Sequence, residues 1–256
     1  MLSSFGDSFW AGRRSVSGVI TPVVIPGLVM WVDAAQPICY SDSTSTVWVD
    51  YTANGNDLSL QNTENITWNG KYFNLGAEGL DNELYGYFDR TVGNNVPQGD
   101  DPYCIGVWAR QPYYWNQAGG FISIGADDPV SANGGNRLRI DQGITGQFKH
   151  EWYENGPLGG GIDGTSNRVR INRWFLVMAQ YDGTTRSIWA NGIKIAEDTP
   201  AASSHVVTDP KIQVSKGDVY GYNQQGDIAQ AFIYDRALTS QEIRRIFNSY
   251  RGRFGA

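Results

Sequence analysis

Two carboxylates share one face of a β-strand when they stand two residues apart, which separates them by about 6–7 Å and suits the acid pair of glycoside hydrolysis. The sequence offers one short match, Asp81-Asn82-Glu83, which follows a glycine-rich turn and has no third acid two positions on, so it reads as surface charge. Glu151 and Glu154 flank Trp152-Tyr153, but an odd spacing on a strand sends them to opposite faces. With only two histidines, His150 and His205, a Ser-His-Asp set or a histidine-rich metal centre has few ways to be assembled. His150 alternates with Phe148 and Trp152, which predicts a packed or rim position. The run Gly159-Gly160-Gly161-Ile162-Asp163-Gly164 matches G-x-G-x-x-G in letters. It follows Pro157 and leads into a strand-like segment, so the helix N-terminus that would hold a phosphate is missing and a loop is expected.

Two loop features have chemistry of another kind. Asp100-Asp101 and Asp127-Asp128 present oxygens of the sort calcium takes, but no spacing defines six or more ligands. They read as solvated loop acids, with calcium the minor alternative and no cofactor expected. The cluster Tyr113-Tyr114-Trp115-Asn116-Gln117 could stack on sugar rings or anchor an interface; covering a sheet edge accounts for it equally well. Cys39 and Cys104 lie far apart without a C-x-x-C pair, which predicts buried thiols rather than a zinc site or a disulfide framework.

Twenty basic against 26 acidic side chains give a net charge of -6, and no basic run could track a phosphate backbone, so nucleic acid is not an expected partner. No window approaches the ~20 apolar residues of a membrane span. Arg13-Arg14 precede a short apolar run that Pro22 and Pro26 soon interrupt, unlike a secretory leader. The expectation is a protein kept in the producing cell, or released by lysis or inside a larger particle.

The elements that must position these residues are mostly strands. Turn-forming and aromatic residues abound, with 31 Gly, 14 Tyr, 10 Phe and 9 Trp against 3 Met. Period-two alternation marks Arg137-Leu138-Arg139-Ile140, Arg168-Val169-Arg170-Ile171 and Lys211-Ile212-Gln213-Val214 as half-buried strands. Leu28-Val29-Met30-Trp31-Val32 and Trp174-Phe175-Leu176-Val177-Met178-Ala179 are apolar on both faces and should lie centrally. Asp182-Gly183 and Asn191-Gly192 divide residues 174–196 into a three-stranded meander. One helix closes the chain: Thr239 and Glu242 form a capping box, Leu238 and Ile243 a staple, and Ile243, Ile246, Phe247 and Tyr250 one apolar face.

Several segments, in order, resemble the laminin G-like or concanavalin A-like jelly-roll modules. Gly27 to Ala35, then Trp48-Val49-Asp50 and Asn54-Gly55-Asn56-Asp57, are similar to the family's first strand and its W-x-D-x-S-G-N-G-N turn, with Tyr51-Thr52-Ala53 in place of the usual small residues. Ile105-Gly106-Val107-Trp108-Ala109-Arg110 resembles its F-x-I-S-x-W-V-K strand. Trp174 to Asn191-Gly192 matches its W-x-x-V-x-x-x-Y-D-G and Y-x-N-G hairpins, and Gly226 to Thr239 resembles its closing strand before a helix. The resemblance covers roughly residues 27–250 and implies an all-β, antiparallel jelly-roll sandwich with one short C-terminal helix.

Residues 1–26 lie outside it and read as an extended arm whose Phe5, Phe9, Trp10, Arg13 and Arg14 would contact a partner; residues 27–256 form the sandwich domain. Because a fold of this kind hosts lectins, adhesion modules, glycosidases and virion proteins, three readings follow. The first is a non-enzymatic structural protein of a tailed-bacteriophage particle, a capsid decoration, tail-fibre or baseplate component. It would be made in the host cytoplasm without a signal peptide, be located in the virion, and contact other virion proteins and its own copies. The second is a carbohydrate-binding adhesion module that meets a cell-surface glycan through Tyr113, Tyr114, Trp115 and Asn116. The third is a glycosidase with an unrecognised site.

Overall fold

The computed structural model describes residues 25–76, 80, 84–112, 120–125, 136–140, 148–152, 161–163, 171–200, 209–216 and 223–256, with backbone alone for 136–140 and 161–163. These residues build two antiparallel sheets and one helix.

The first sheet runs from β14 (Ile193–Asp198) through β13 (Arg186–Ala190), β12 (Trp174–Tyr181), β7 (Tyr103–Arg110), β16 (Asp227–Tyr234) and β5 (Phe73–Asn74) to β4 (Thr67–Trp68). Strand β1 (Leu28–Asp33) pairs with the far half of β16. The second sheet runs β11 (Gly161–Asp163), β10 (Phe148–Trp152), β9 (Asn136–Ile140), β8 (Gly120–Gly125), β15 (Lys211–Val214), β6 (Tyr87–Arg90), β3 (Leu58–Gln61) and β2 (Val47–Trp48).

The alternations at 137–140 and 211–214 become β9 and β15, and residues 174–198 form the expected meander. Its second turn needs left-handed backbone at both central positions, and Asn191 (φ 50°) and Gly192 (φ 79°) supply it. The alternating stretch at 168–171 falls mostly outside the described residues, and Ile171 is exposed in a turn.

Between the sheets, inward side chains such as Trp48, Phe73, Phe88, Phe121 and Tyr103 are almost wholly buried. Trp48, Phe73 and Phe88 meet with ring centroids 4.9 Å apart, a separation typical of tilted and edge-on aromatic pairs. Strand β16 is buried along all eight residues, as its two-sided apolar sequence requires, because the second sheet covers one face and the helix side covers the other.

That helix, α1 (Ser240–Phe254), starts at the expected capping box: the Thr239 hydroxyl accepts from the Glu242 N–H, and the Glu242 carboxylate accepts from the Thr239 N–H. The Arg236 guanidinium grips the same carboxylate at 2.6 and 3.0 Å and, with Thr239, holds Glu242 down at about 2. Ile243, Ile246 and Tyr250 are buried, while Phe247 and Phe254 stack on Trp108 at 5.8 and 4.4 Å. Under this helix a close approach explains Gly106, since a Cβ there would lie 2.6 Å from the Phe232 ring and 2.9 Å from Met178. Gly106→Ala is therefore expected to cost about 1–3 kcal/mol by overpacking, read as a lower urea midpoint with an unchanged slope.

Both cysteines are buried free thiols, and burial pushes the Cys39 thiol up to about 12, so it stays protonated at neutral pH. No described helix is long and apolar enough to cross a membrane.

Candidate functional site

The outer faces of the two sheets differ in a way that follows from strand periodicity. On the first sheet, Trp108 and its neighbours point outward into the cover made by α1. On the second sheet the inward positions Leu60, Phe88, Ile212, Val214, Ile122, Ile124 and His150 are all buried, which turns the alternate positions outward. Those alternate positions are polar.

The strand registers set them side by side. Ser59 stands opposite Asp89, Asp89 opposite Gln213, Gln213 opposite Ser123, Ser123 opposite Arg137, and Arg137 opposite Glu151. One row of polar positions thus crosses six adjacent strands, bounded by Val47 at one end and Gly161 at the other. Five interstrand steps make it about 24 Å long. Gln61, Tyr87, Lys211 and Lys149 flank it on the same strands.

Parts of the row are tightly set. Gln213 is 6 % exposed, and the Asp89 and Lys211 side chains are 15 % and 16 % exposed. Gln61 Nε2 donates to Asp89 Oδ1 at 3.0 Å, Lys211 Nζ lies 3.9 Å from Asp89 Oδ2, and the Ser123 hydroxyl donates to Gln213 Oε1 at 3.5 Å. Lys216 Nζ sits 4.7 Å above the Tyr87 ring. Amide, hydroxyl, carboxylate and ammonium groups held in fixed order can pair with the donor–acceptor hydroxyls of a polyol.

The same geometry argues against acid–base hydrolysis on this face. The carboxylates with described side chains here are Asp89 and Glu151, four strand steps apart in the row, or about 19 Å. Glycosidase pairs work at about 5–5.5 Å or about 6.5–9.5 Å. These two cannot act on one bond.

His150 faces the other way, into the sandwich. It is fully buried, with Nε2 2.6 Å from the Tyr103 hydroxyl, which also accepts from Trp152 Nε1 at 2.7 Å. A phenol that accepts from the indole has its own proton left for His150 Nε2, which places the imidazole proton on Nδ1; that atom is buried without a hydrogen-bond partner. Burial, with the Arg186 cation nearby, drives His150 well below its ordinary value, so it is neutral and structural. Arg186 lies over the Trp152 ring at 4.7 Å and grips Asp198 at 2.6 and 3.0 Å.

The residues singled out in the sequence fare unevenly. Phe5, Phe9, Trp10, Arg13 and Arg14 of the arm lie outside the described residues, as do Tyr113, Tyr114, Trp115 and Asn116, Asp81 to Glu83, Asp127-Asp128, Glu154 and His205. Asp100 and Asp101 are exposed, and among the described residues no three His, Cys, Asp or Glu side chains converge on a metal position. Gly161–Asp163 of the glycine-rich run form β11, paired with β10, which is incompatible with a phosphate-cradling turn into a helix. The polar row went unseen in the sequence. Its alternations at 137–140 and 211–213 were visible, but their alignment depends on which strands become neighbours.

A family model described as the concanavalin A-like lectin/glucanases superfamily matches residues 82–244. No curated protein sequence matches the chain. Among solved structures, the binding domain of botulinum neurotoxin DC in complex with SialylT is similar with a TM-score of 0.63 and 16% identity, over 88% of this chain and 52% of that one. Domain 4 of AbnA, a GH43 extracellular arabinanase from Geobacillus stearothermophilus, in complex with arabinotriose, has a TM-score of 0.58 and 14% identity, over 86% of this chain and 97% of that one. The botulinum neurotoxin serotype D binding domain has a TM-score of 0.59 and 12% identity, over 87% and 50%. The chain thus spans about half the length of the toxin domains, and at these identities the likeness is one of fold.

Proposed function

This chain belongs to the concanavalin A-like lectin/glucanases superfamily, and on that footing we propose that it is a non-catalytic binding module whose ligand is a glycan, held along the outer face of the second sheet. The observation that carries this reading is the polar row from Ser59 to Glu151, aligned across six strands. A straight file of planar amide and carboxylate groups with intervening hydroxyls suits an extended oligosaccharide, which presents hydroxyls at regular intervals along one edge. The separation of Asp89 from Glu151 favours binding over hydrolysis. Two of the similar folds were solved with a saccharide bound, SialylT in one and arabinotriose in the other, which supports a sugar as ligand. Nothing among the described residues favours assembly into a virus particle over this reading.

A glycan array followed by calorimetry tests it. At least one oligosaccharide class is expected to bind without being shortened on prolonged incubation. Gln213→Ala, which removes the buried amide that holds the Ser123 hydroxyl in the row, is expected to weaken that binding up to about tenfold, the worth of one hydrogen bond between neutral groups at ~1.4 kcal/mol. Silence across a broad array, or unchanged affinity in both Gln213→Ala and Ser123→Ala, would remove the row from consideration.

A further inference from the structure

We infer a second binding site, separate from the polar row, in the cleft at the open flank of the sandwich, and assign it to an uncharged saccharide unit. The flank lies where both sheets end, at β2 and β4, each only two residues long. The chain crosses from one sheet to the other there, through Asn62 in the left-handed conformation (φ 54°) and the short 3-10 turn Thr63–Asn65. That crossover and the loop before β2 leave a cleft of about 320 Å³ between them. This volume sits at the low end of the roughly 300–1,000 Å³ of small-molecule sites, which suits a ligand of one or two sugar rings.

The lining has two parts. The apolar part is Tyr40 and Trp68, ring centroids 5.2 Å apart and set edge to face, with Leu60 and Ile66 beside them. Both rings have their polar ends committed elsewhere: the Tyr40 hydroxyl donates to the Ser45 carbonyl at 2.6 Å, and Trp68 Nε1 donates to the Ala34 carbonyl at 2.7 Å. What the cleft offers a ligand is therefore carbon surface from the partly buried Trp68 and Ile66, while Tyr40, only 4 % exposed, backs the Trp68 ring. The polar part is a set of exposed hydroxyls, Ser43, Thr46 and Thr63, with Glu64 as the charged side chain of the lining. Ring surface against the C–H face of a sugar, with hydroxyls at its edge, is the pairing an amphipathic pyranose requires.

Charge narrows the class. Among the described residues the lining carries an acid and no base, and the turn beside it is built on Asp42, whose carboxylate accepts from the Thr44 N–H and hydroxyl. An anionic sugar would meet repulsion with no compensating cation. An uncharged one would find Glu64 as a hydrogen-bond acceptor.

Ligand-observed NMR on the full chain tests this, with neutral methyl glycosides, glucuronate and choline as probes. At least one neutral methyl glycoside is expected to bind in the millimolar range, with glucuronate at least tenfold weaker. Trp68→Ala should abolish the signal. Because that ring also packs against the core, Thr46→Val with Thr63→Val serves as a shape-preserving variant, expected to lower affinity about tenfold. Gln213→Ala should leave this binding untouched, so the cleft and the row fail or stand separately. The inference is overturned if no neutral glycoside binds, if the valine variant binds as well as the parent, or if choline or glucuronate is preferred.

Discussion

Asp33→Ala is expected to destabilise the protein by about 3–5 kcal/mol, the loss that follows when one partner of a buried ion pair is removed. Asp33 ends β1 and is fully buried. Its Oδ1 accepts from the Ala35 N–H at 2.8 Å, and its Oδ2 accepts from Gln230 Nε2 and Arg253 Nη1, both at 2.6 Å. One carboxylate thus joins β1, β16 and the last turn of α1. Without it, Gln230 and Arg253 lose their shared acceptor in a place water hardly reaches, since the Arg253 side chain is only 15 % exposed. Arg253 would still donate to the Lys71 carbonyl, which does not replace a carboxylate.

The consequence should travel to Phe254, which stacks on Trp108 and packs 4.9 Å from Trp174. At roughly 2–4 °C per kcal/mol for a chain of this size, the melting temperature should fall by about 10 °C. Arg253→Met in the Asp33→Ala background should recover part of that, because it removes the unpaired cation as well. A loss below about 1 kcal/mol would mean that the helix is held by its apolar face alone.

What could be read from the sequence was what short-range chemistry determines. The helix start at Thr239 and the turns at 182–183 and 191–192 appear where the residues place them, because capping and left-handed turn positions depend only on neighbours in the chain. Asp33 is a different case. Its partners Gln230 and Arg253 stand 197 and 220 residues away, and nothing local marks a strand-terminal aspartate as the acceptor for a distant arginine. The polar row and the Tyr40–Trp68 cleft share that property. Each needs the sheet order β8, β15, β6, β3, β2 or the meeting of two sheet edges, and strand order is a long-range result of core packing. His150 lies between these cases: alternation with Phe148 and Trp152 predicts a packed ring, but its partner Tyr103 comes from the other sheet.

That partnership makes acid sensitivity the second large effect. His150 is neutral in the folded protein and driven well below its ordinary value of 6.5 by burial, with the Arg186 cation adding to the shift. Among the described residues, the groups facing it are Tyr103 and Trp152, with Tyr181 against Trp152 and Arg186 above it; Asp198, the one carboxylate in this described set, is committed to Arg186. None of these welcomes an imidazolium. As pH falls below 6.5 the unfolded chain takes up a proton that the folded chain refuses, so stability drops with falling pH, with a slope of at most about 1.4 kcal/mol per pH unit. The loss stops only at the lowered folded-state value. Glu242 acts in a separate window: its value is lowered from 4.5 to about 2, so its contribution is present above 4.5 and disappears as pH falls from there toward 2. Urea midpoints followed by tryptophan fluorescence at pH 7.5, 5.5 and 4.5 should therefore decline steadily in the parent. In His150→Gln, whose amide oxygen can still accept from the Tyr103 hydroxyl, the decline between pH 6.5 and 4.5 should flatten. His205 is present in both proteins and cancels in the comparison, so parallel curves would show that the buried imidazole takes up its proton without opening the core.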